Sequence, residues 1–556
     1  MAFQIFTFPH AAVYLLFSVL FYVHCKRTFR QPLPKDLPWV GVKGDQWFAT
    51  FRAHRREWKE GMQMLSEGYE KYNKQGKPFV TPNTTLEPEV LLPPSAIPWL
   101  LSQPANVLSP FPVRDEIVGL KYFLPAAICE DRQLHDSVLL GPLTRRLGDF
   151  TERVARGIEE VMPQLWGTDE REWKEVVPFE NMHAIVLRMS ASVIFGEELA
   201  RDPKFLKALS MYALVVAICT GLARLLAPPP FRFVVSRLAG LPIRFFAWRC
   251  NSWLAPLIWK AKCRRSGCQG SECCGSEHKK PFKPGDEQSL MDYIITAALS
   301  SANSANARAD NIISRLLLIS FAAIHTTSFT LTWTLLHLAS SPSFATLYQK
   351  LRDEASTALQ SSPKGVWTRA KLADLHVTDS VLKETLRHTG FGGRGAMHAV
   401  IPKEGVVLPT GERVPQGAWI GVSVRGVHDD ERFWQNGTTW DGLRFVEGND
   451  EEIEMNNVPT KEDEGIDSRI STDTQTTLER KKRSLVTTSP TFMAFMHGRN
   501  ACPGRFFAAH QMKLLLAYIV LNYDIQRREK VEMKYMTDFA IPPTKEKLLV
   551  RRRPVG

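Results

Sequence analysis

Apolar residues recur every three to four positions along most of the chain, the period of helices with one buried face. The longest such run, Asn311 to Leu338, is apolar enough for a central core helix, and another leads from Arg505 through Tyr518. Short extended runs at Gly405 to Leu408 and Ala418 to Val424, bounded by Gly and Pro, predict a minor sheet. The pattern therefore predicts a mainly α fold with a small β part and no internal repeat.

The N-terminus reads differently. Met1 to Val23 carries no Asp, Glu, Lys or Arg, and Ala11 to Val23 is nearly all apolar; about 23 helical residues span roughly 34 Å, enough for one membrane crossing. Lys26, Arg27 and Arg30 follow the run and none precede it, which places the following chain on the cytosolic side. A cleaved signal peptide would need a preceding basic region and a small-residue cleavage site, and neither is visible. Pro32, Pro34 and Pro38 then break the helix. The expected organisation is an N-terminal transmembrane helix over 1–24, a basic, proline-rich hinge over 25–38 and one domain over 39–556, single-pass in the endoplasmic reticulum with the domain cytosolic.

Composition narrows the class. The 556 residues are 44% hydrophobic and 23% charged, a globular balance that excludes a disordered chain. The net charge of +12 suits anionic lipid or an acidic protein partner; no nucleic-acid motif accompanies it, and none is expected to bind. Nine cysteines without disulfide-like spacing indicate a reducing compartment, where the sequons at Asn83 and Asn436 stay unmodified. Two stretches look like flexible insertions. Residues near 262–286 gather Cys263, Cys268, Cys273, Cys274 and His278 in a Gly/Ser/Lys-rich context without paired C-x-x-C units, which favours a surface loop over a zinc site. Residues 448–490 are too polar to bury. Met211 to Phe233 reads as a core helix ahead of the rival reading, a lipid-dipping substrate entrance.

Three motifs carry chemistry. In Phe495-Met-His-Gly498-Arg499-Asn500-Ala501-Cys502-Pro503-Gly504-Arg505, two glycines permit tight turns and a close approach to a flat group, and Cys502 stands just before a helix N-terminus, where backbone dipoles favour a thiolate. In Ala322-Ala-Ile-His325-Thr326-Thr327, polar side chains interrupt an apolar helix. Glu384 and Arg387, three residues apart, share a helix face.

This set resembles the cytochromes P-450, whose cysteine loop reads F-x-x-G-x-[R/H]-x-C-x-G. Phe495, Gly498, Cys502 and Gly504 match in register, while Asn500 stands where the family places Arg or His toward a haem propionate. The resemblance implies the cytochrome P-450 fold behind its membrane helix and haem b with Cys502 as axial ligand. Phe495 and Gly504 would shape the thiolate pocket, and Arg499 would reach a propionate. Thr326 matches the alcohol of the oxygen-activating helix; His325 replaces the usual acid and would pass protons. Glu384, Arg387 and an Arg in a later loop, Arg444, would brace the scaffold. The implied function is oxidation of an apolar small molecule with O2 and electrons from an NADPH–cytochrome P-450 reductase, with a terpenoid or polyketide of fungal secondary metabolism as the substrate class. A haem-thiolate isomerase or dehydratase and a non-catalytic haem protein are the alternatives. Phe111, Phe321, Ile324 and Met397 are expected to face the pocket.

Overall fold

A computed structural model describes residues 16–18, 21, 36–42, 49–83, 88–119, 124–125, 128–129, 131, 133–226, 232–265, 289–446, 482–529 and 531–554. The main helices are α1 (Ala49–Lys71), α2 (Ile97–Ser102), α3 (Pro110–Val118), α4 (Gln133–Val138), α5 (Leu147–Trp166), α6 (Pro178–Ile194), α7 (Pro203–Leu226), α8 (Arg232–Arg265), α9 (Leu290–Leu299), α10 (Ala309–Ser340), α11 (Phe344–Gln360), α12 (His376–His388) and α13 (Arg505–Asn522). The helix start at Ser289 illustrates how sequence sets a boundary. Its hydroxyl accepts from the Asp292 N–H at 3.3 Å, satisfying one of the donors the first turn leaves open, and donates to the Asp292 carboxylate at 2.9 Å.

Helix α10 runs through the middle of the helical layer, packed by α6, α7, α8, α12 and α13. Its apolar side chains from Ile312 to Ala339 join one extended core that includes α5, α6, α13 and the sheet. Two helical stretches, Pro203–Gly221 and Ala309–Ser340, are long and apolar enough to cross a membrane by length and composition. In this fold α10 is a core helix, and α7 buries Phe205, Leu209, Tyr212 and Val216 while Leu214 and Ile218 stay exposed.

The strands are β1 (Phe79–Thr81), β2 (Glu89–Leu92), β3 (Leu108–Ser109), β4 (Lys174–Val176), β5 (Arg394–Val400), β6 (Val406–Val407), β7 (Arg413–Val414), β8 (Trp419–Ser423), β9 (Tyr523–Ile525), β10 (Lys534–Met536), β11 (Phe539–Ile541) and β12 (Leu548–Arg552). They form a sheet in the order β1-β2-β8-β5-β3, a second in the order β4-β12-β9, and the pairs β10-β11 and β6-β7. β2 and β8 are parallel; the other pairings are antiparallel. Every residue of β8 is buried, and Gly421 at its centre is required because a Cβ there would collide with the Met397 sulfur.

Trp39 bridges to Val80, and the Val40 and Val80 amides donate across that edge at 2.9 and 2.8 Å, so the chain is already docked on β1 at Pro38. Of residues 1–35 the structure describes only Leu16, Phe17, Ser18 and Phe21, which are helical and exposed; the rest of the expected anchor and hinge lies outside the described residues. The first insertion starts later than its sequence suggests. Lys262 and Arg265 close α8 by donating to the Ala307 carbonyl (2.8 Å) and the Asp292 carboxylate (3.1 Å), and residues 266–286 lie outside the described set. The second ends earlier: Leu485 is fully buried and the Lys482 carbonyl accepts from Lys383 at 3.1 Å, while residues 447–481 are not described. A single buried Leu and a few main-chain carbonyls are signals that a polar composition conceals.

Candidate active site

The cysteine loop folds back on itself ahead of α13. The Cys502 N–H donates to the Phe495 carbonyl at 2.8 Å, and the Arg505 guanidinium donates to the Cys502 carbonyl at 2.9 Å. Met496 and Gly498 take left-handed backbone, with φ of 57° and 67°, so one of the two turn positions does use the freedom of glycine. A Cβ on Gly504 would find only the Cys502 sulfur, at 3.9 Å, and one on Gly498 only Leu101, at 4.0 Å; both glycines therefore border open space. Burial pushes the Cys502 thiol up, while the backbone N–H groups of Gly504 and Arg505 and the Arg505 charge pull it down. Burial is the largest of these effects.

Two neighbours of Cys502 are placed firmly. Arg499 donates to the backbone carbonyls of Ser102 and Gln103, at 3.0 and 2.9 Å, at the C-terminal end of α2. Asn500 meets the ring of His398 on β5 at 3.2 Å, and the other ring nitrogen of His398 lies 2.6 Å from the Ala396 carbonyl. A carbonyl can only accept, so His398 carries its proton on Nδ1 and takes the Asn500 N–H at Nε2. Burial lowers the His398 pKa, in keeping with a neutral ring. Nothing in the sequence singled out His398; an isolated histidine in a strand has no spacing signal.

Helix α10 is buried on either side of its midpoint, yet Ala322 and Thr326, one turn apart, are exposed. An exposed face inside the core is the wall of a cavity. The Thr326 hydroxyl donates to the Ala322 carbonyl at 2.8 Å, and Thr330 donates to the Thr326 carbonyl at 3.0 Å. From Phe329, three residues beyond Thr326 on the same helix, ring contacts run to Phe391 (centroids 6.0 Å apart) and on to Phe539 (5.1 Å), with Phe391 about half exposed. Phe391 and Phe539 had no sequence signal, since they come from a loop and the β10-β11 hairpin. Of the expected pocket residues, Ile324 is fully buried, Met397 packs over Gly421, Phe321 abuts His325, and Phe111 is exposed beside Arg114.

His325 does not share the open face. Its ring stacks on His183 of α6 (5.4 Å, 25°) between the edges of Phe321 and Phe329, and Nε2 is sealed without a hydrogen-bond partner. Burial lowers its pKa, opposed by a hydrogen bond to the Ala213 backbone. His183 bonds to Ser210 at 2.9 Å, and burial together with His325 brings it down to about 4. The expectation of a proton-passing His325 meets a physical obstacle: one residue of helix is a rotation of about 100°, which turns the imidazole into packing while Thr326 faces the cavity.

The buried brace is assembled from all three expected residues. Arg387 grips Glu384 with two bonds of 2.7 Å, and Arg444 reaches the same carboxylate at 3.0 Å. Arg387 also donates to carbonyls of His428, Gly437 and Thr439, and the Asp441 N–H donates to Glu384 at 3.0 Å. The two guanidinium groups share one carboxylate, and main-chain carbonyls accept from their remaining N–H groups. A second buried cluster went unforeseen: Arg394 at the start of β5 meets Glu57 (2.8 Å), Glu89 (3.0 Å) and Asp538 (3.5 Å).

A loop cysteine at the head of a helix, glycines bordering open space and an open face on the core helix fit an iron porphyrin, and define a haem-thiolate protein. The comparisons agree. The family model for cytochrome P-450 matches residues 272–550. The cytochrome P-450 monooxygenase polB of Polytolypa hystricis is 29% identical over 98% of this chain and 98% of its own; nodZ of Hypoxylon pulicicidum is 30% identical over 88% and 87%; lnaC of Aspergillus flavus is 28% identical over 93% and 91%. The chain belongs to the cytochrome P-450 family and is a monooxygenase of that family, with the haem iron and thiolate ligation, redox partner and small-molecule substrate that membership entails.

Proposed function

We propose that this monooxygenase inserts oxygen into an apolar terpenoid or polyketide of fungal secondary metabolism, drawing electrons from an NADPH–cytochrome P-450 reductase. The observation that carries the reading is the open Ala322/Thr326 face beside a wall of phenylalanines, which offers a substrate apolar surface and one hydroxyl. Cys502 would ligate the iron of haem b, with Phe495, Gly498 and Gly504 shaping the loop around the sulfur. The haem, when bound, supplies iron for activating O2, with the thiolate donating electron density.

The remaining work falls to side chains. The aromatic wall excludes water and orients the substrate by shape. Thr326 Oγ1, bonded to its own helix through Ala322, is positioned to release that bond and hand a proton into the cavity. His325, neutral and enclosed, holds α10 against α6 and α7. Asn500, held by the ring of His398, would offer its remaining amide N–H to a haem propionate, with Arg499 next to it in the loop. Glu384, Arg387 and Arg444 keep the loop's support rigid. The organisation proposed is a membrane helix over 1–24, a hinge over 25–38 and the catalytic domain over 39–556, facing the cytosol from the endoplasmic reticulum.

The test is to disrupt the gene in its host and identify the apolar metabolite that accumulates, then feed it to membranes holding this protein and the reductase. NADPH- and O2-dependent formation of a product one oxygen heavier is expected. Conversion that proceeds without reductase would overturn the reading in favour of an isomerase or dehydratase.

A further inference from the structure

Strand β5 carries one residue more than its partner can match. Gly395 pairs with Val422 and His398 with Ile420, so Ala396 and Met397 together face the single residue Gly421. That is a β-bulge, an arrangement that takes main-chain groups out of the ladder and re-aims them. Ala396 has φ of 50° there, a left-handed conformation that costs an alanine free energy and persists only where its surroundings hold it.

Both main-chain groups of Ala396 are taken up, and both serve the cysteine loop. Its N–H donates to the Met496 sulfur at 3.2 Å. Its carbonyl accepts from His398, whose other ring nitrogen holds Asn500. Met496 is itself left-handed, with φ of 57°, and its own N–H donates to the Met493 carbonyl at 2.8 Å. Its side chain occupies room that Gly395 leaves, since a Cβ on Gly395 would stand 2.9 Å from the Met496 methyl group and 3.2 Å from the sulfur. A thioether is a weak acceptor on an unbranched, adaptable chain, which suits an apolar gap containing one N–H that the ladder does not use. The residue before it, Phe495, supplies the carbonyl that takes the Cys502 N–H. One bulge therefore holds the loop on either side of its central turn, at 496 through a thioether and at 500 through an imidazole.

We propose that Met496 is a positioning residue for the Cys502 sulfur, locking the first half of the cysteine loop to the β5 bulge through the Ala396 N–H. Movement at 496 would shift the Phe495 carbonyl and with it the Cys502 N–H, so the tie limits how far the sulfur can swing. The tie stands on contacts within the chain; its bearing on iron rests on Cys502 as the axial ligand.

Two variants separate the sulfur's hydrogen bond from its bulk. M496L keeps the volume and removes the acceptor. M496N sets an oxygen the same number of bonds from the backbone, and asparagine tolerates left-handed backbone. Hydrogen–deuterium exchange of full-length holoprotein, resolved to single amides by mass spectrometry, reads the tie. In wild type the Ala396 amide should be protected as well as that of Val400, which donates to the Ala418 carbonyl at 3.0 Å; free exchange at Ala396 overturns the proposal before any variant is made. In M496L it should exchange roughly two- to tenfold faster, the span of one net hydrogen bond, returning toward wild type in M496N while Val400 stays constant. The thiolate-type band of the reduced carbon monoxide complex should decay faster in M496L by a similar factor and be restored in M496N. Unchanged Ala396 exchange in M496L overturns the tie, and M496N matching M496L in both readings does the same by assigning the effect to shape. Faster exchange with a band as persistent as that of wild type overturns the positioning role and leaves the ligand assignment intact. Wild type without a thiolate-type band would refute Cys502 as ligand and the positioning role with it, while the exchange result would still decide the tie.

Discussion

At the scale of single residues, the site divides by what burial does to each polar group. Thr326 keeps its hydroxyl at the cavity wall, so T326A should lower product formed per O2 consumed by roughly a hundredfold, the low end of the range for a lost proton donor. T326S should restore most of it, and haem spectra should not change in either variant. His325 is the contrasting case. With Nε2 sealed and the ring stacked on His183, H325F should retain activity within about threefold, short of the hundredfold loss on the order expected for a proton relay. Steady-state assays of the two variants beside each other check both. Sequence showed the alcohol and imidazole side by side; it could not show that adjacent positions on a helix serve different surroundings.

Glu89 gives a pH dependence at the same scale. Burial raises its carboxyl from about 4.5 to about 7, with the Arg394 charge pulling against the shift. The folded state therefore holds a proton that the unfolded state releases between those values. Stability from this group is complete below about pH 4.5 and is lost as pH rises toward 7. Urea midpoints of wild type minus E89Q should fall across that window and be flat above it. A difference that rises with pH would contradict the assignment.

At the scale of elements, α12 is tied to the following loop by one carboxylate serving two guanidinium groups. E384A would leave Arg387 buried and unpaired, costing about 3–5 kcal/mol, and should appear as a collapse in the yield of haem-loaded protein with denaturant midpoints shifted down. R444K keeps a charge near Glu384 while losing the forked geometry, and should cost about 1 kcal/mol. This brace was legible because Glu384 and Arg387 sit on one helix face. The Arg394 cluster was not, since Glu57, Glu89 and Asp538 come from three elements far apart in the chain. The helical period revealed α10 and α13 almost to their ends, because their apolar faces are long. The aromatic wall stayed hidden because each phenylalanine sits in a different element.

At the scale of the whole molecule, a helical layer around α10 and a small sheet converge on the loop before α13. The loop's hydrogen bonds, from the Cys502 N–H to the Phe495 carbonyl and from Arg505 to the Cys502 carbonyl, hold the sulfur at the head of α13. Fold class and loop were readable from sequence as one late motif and its order after the central helix.

The sulfur–iron bond is tested most directly by the carbon monoxide difference spectrum of the reduced protein carrying C502S. The substitution should abolish the thiolate-type band, leaving either no haem or haem with a different axial ligand. An unchanged thiolate-type band in C502S would contradict the account.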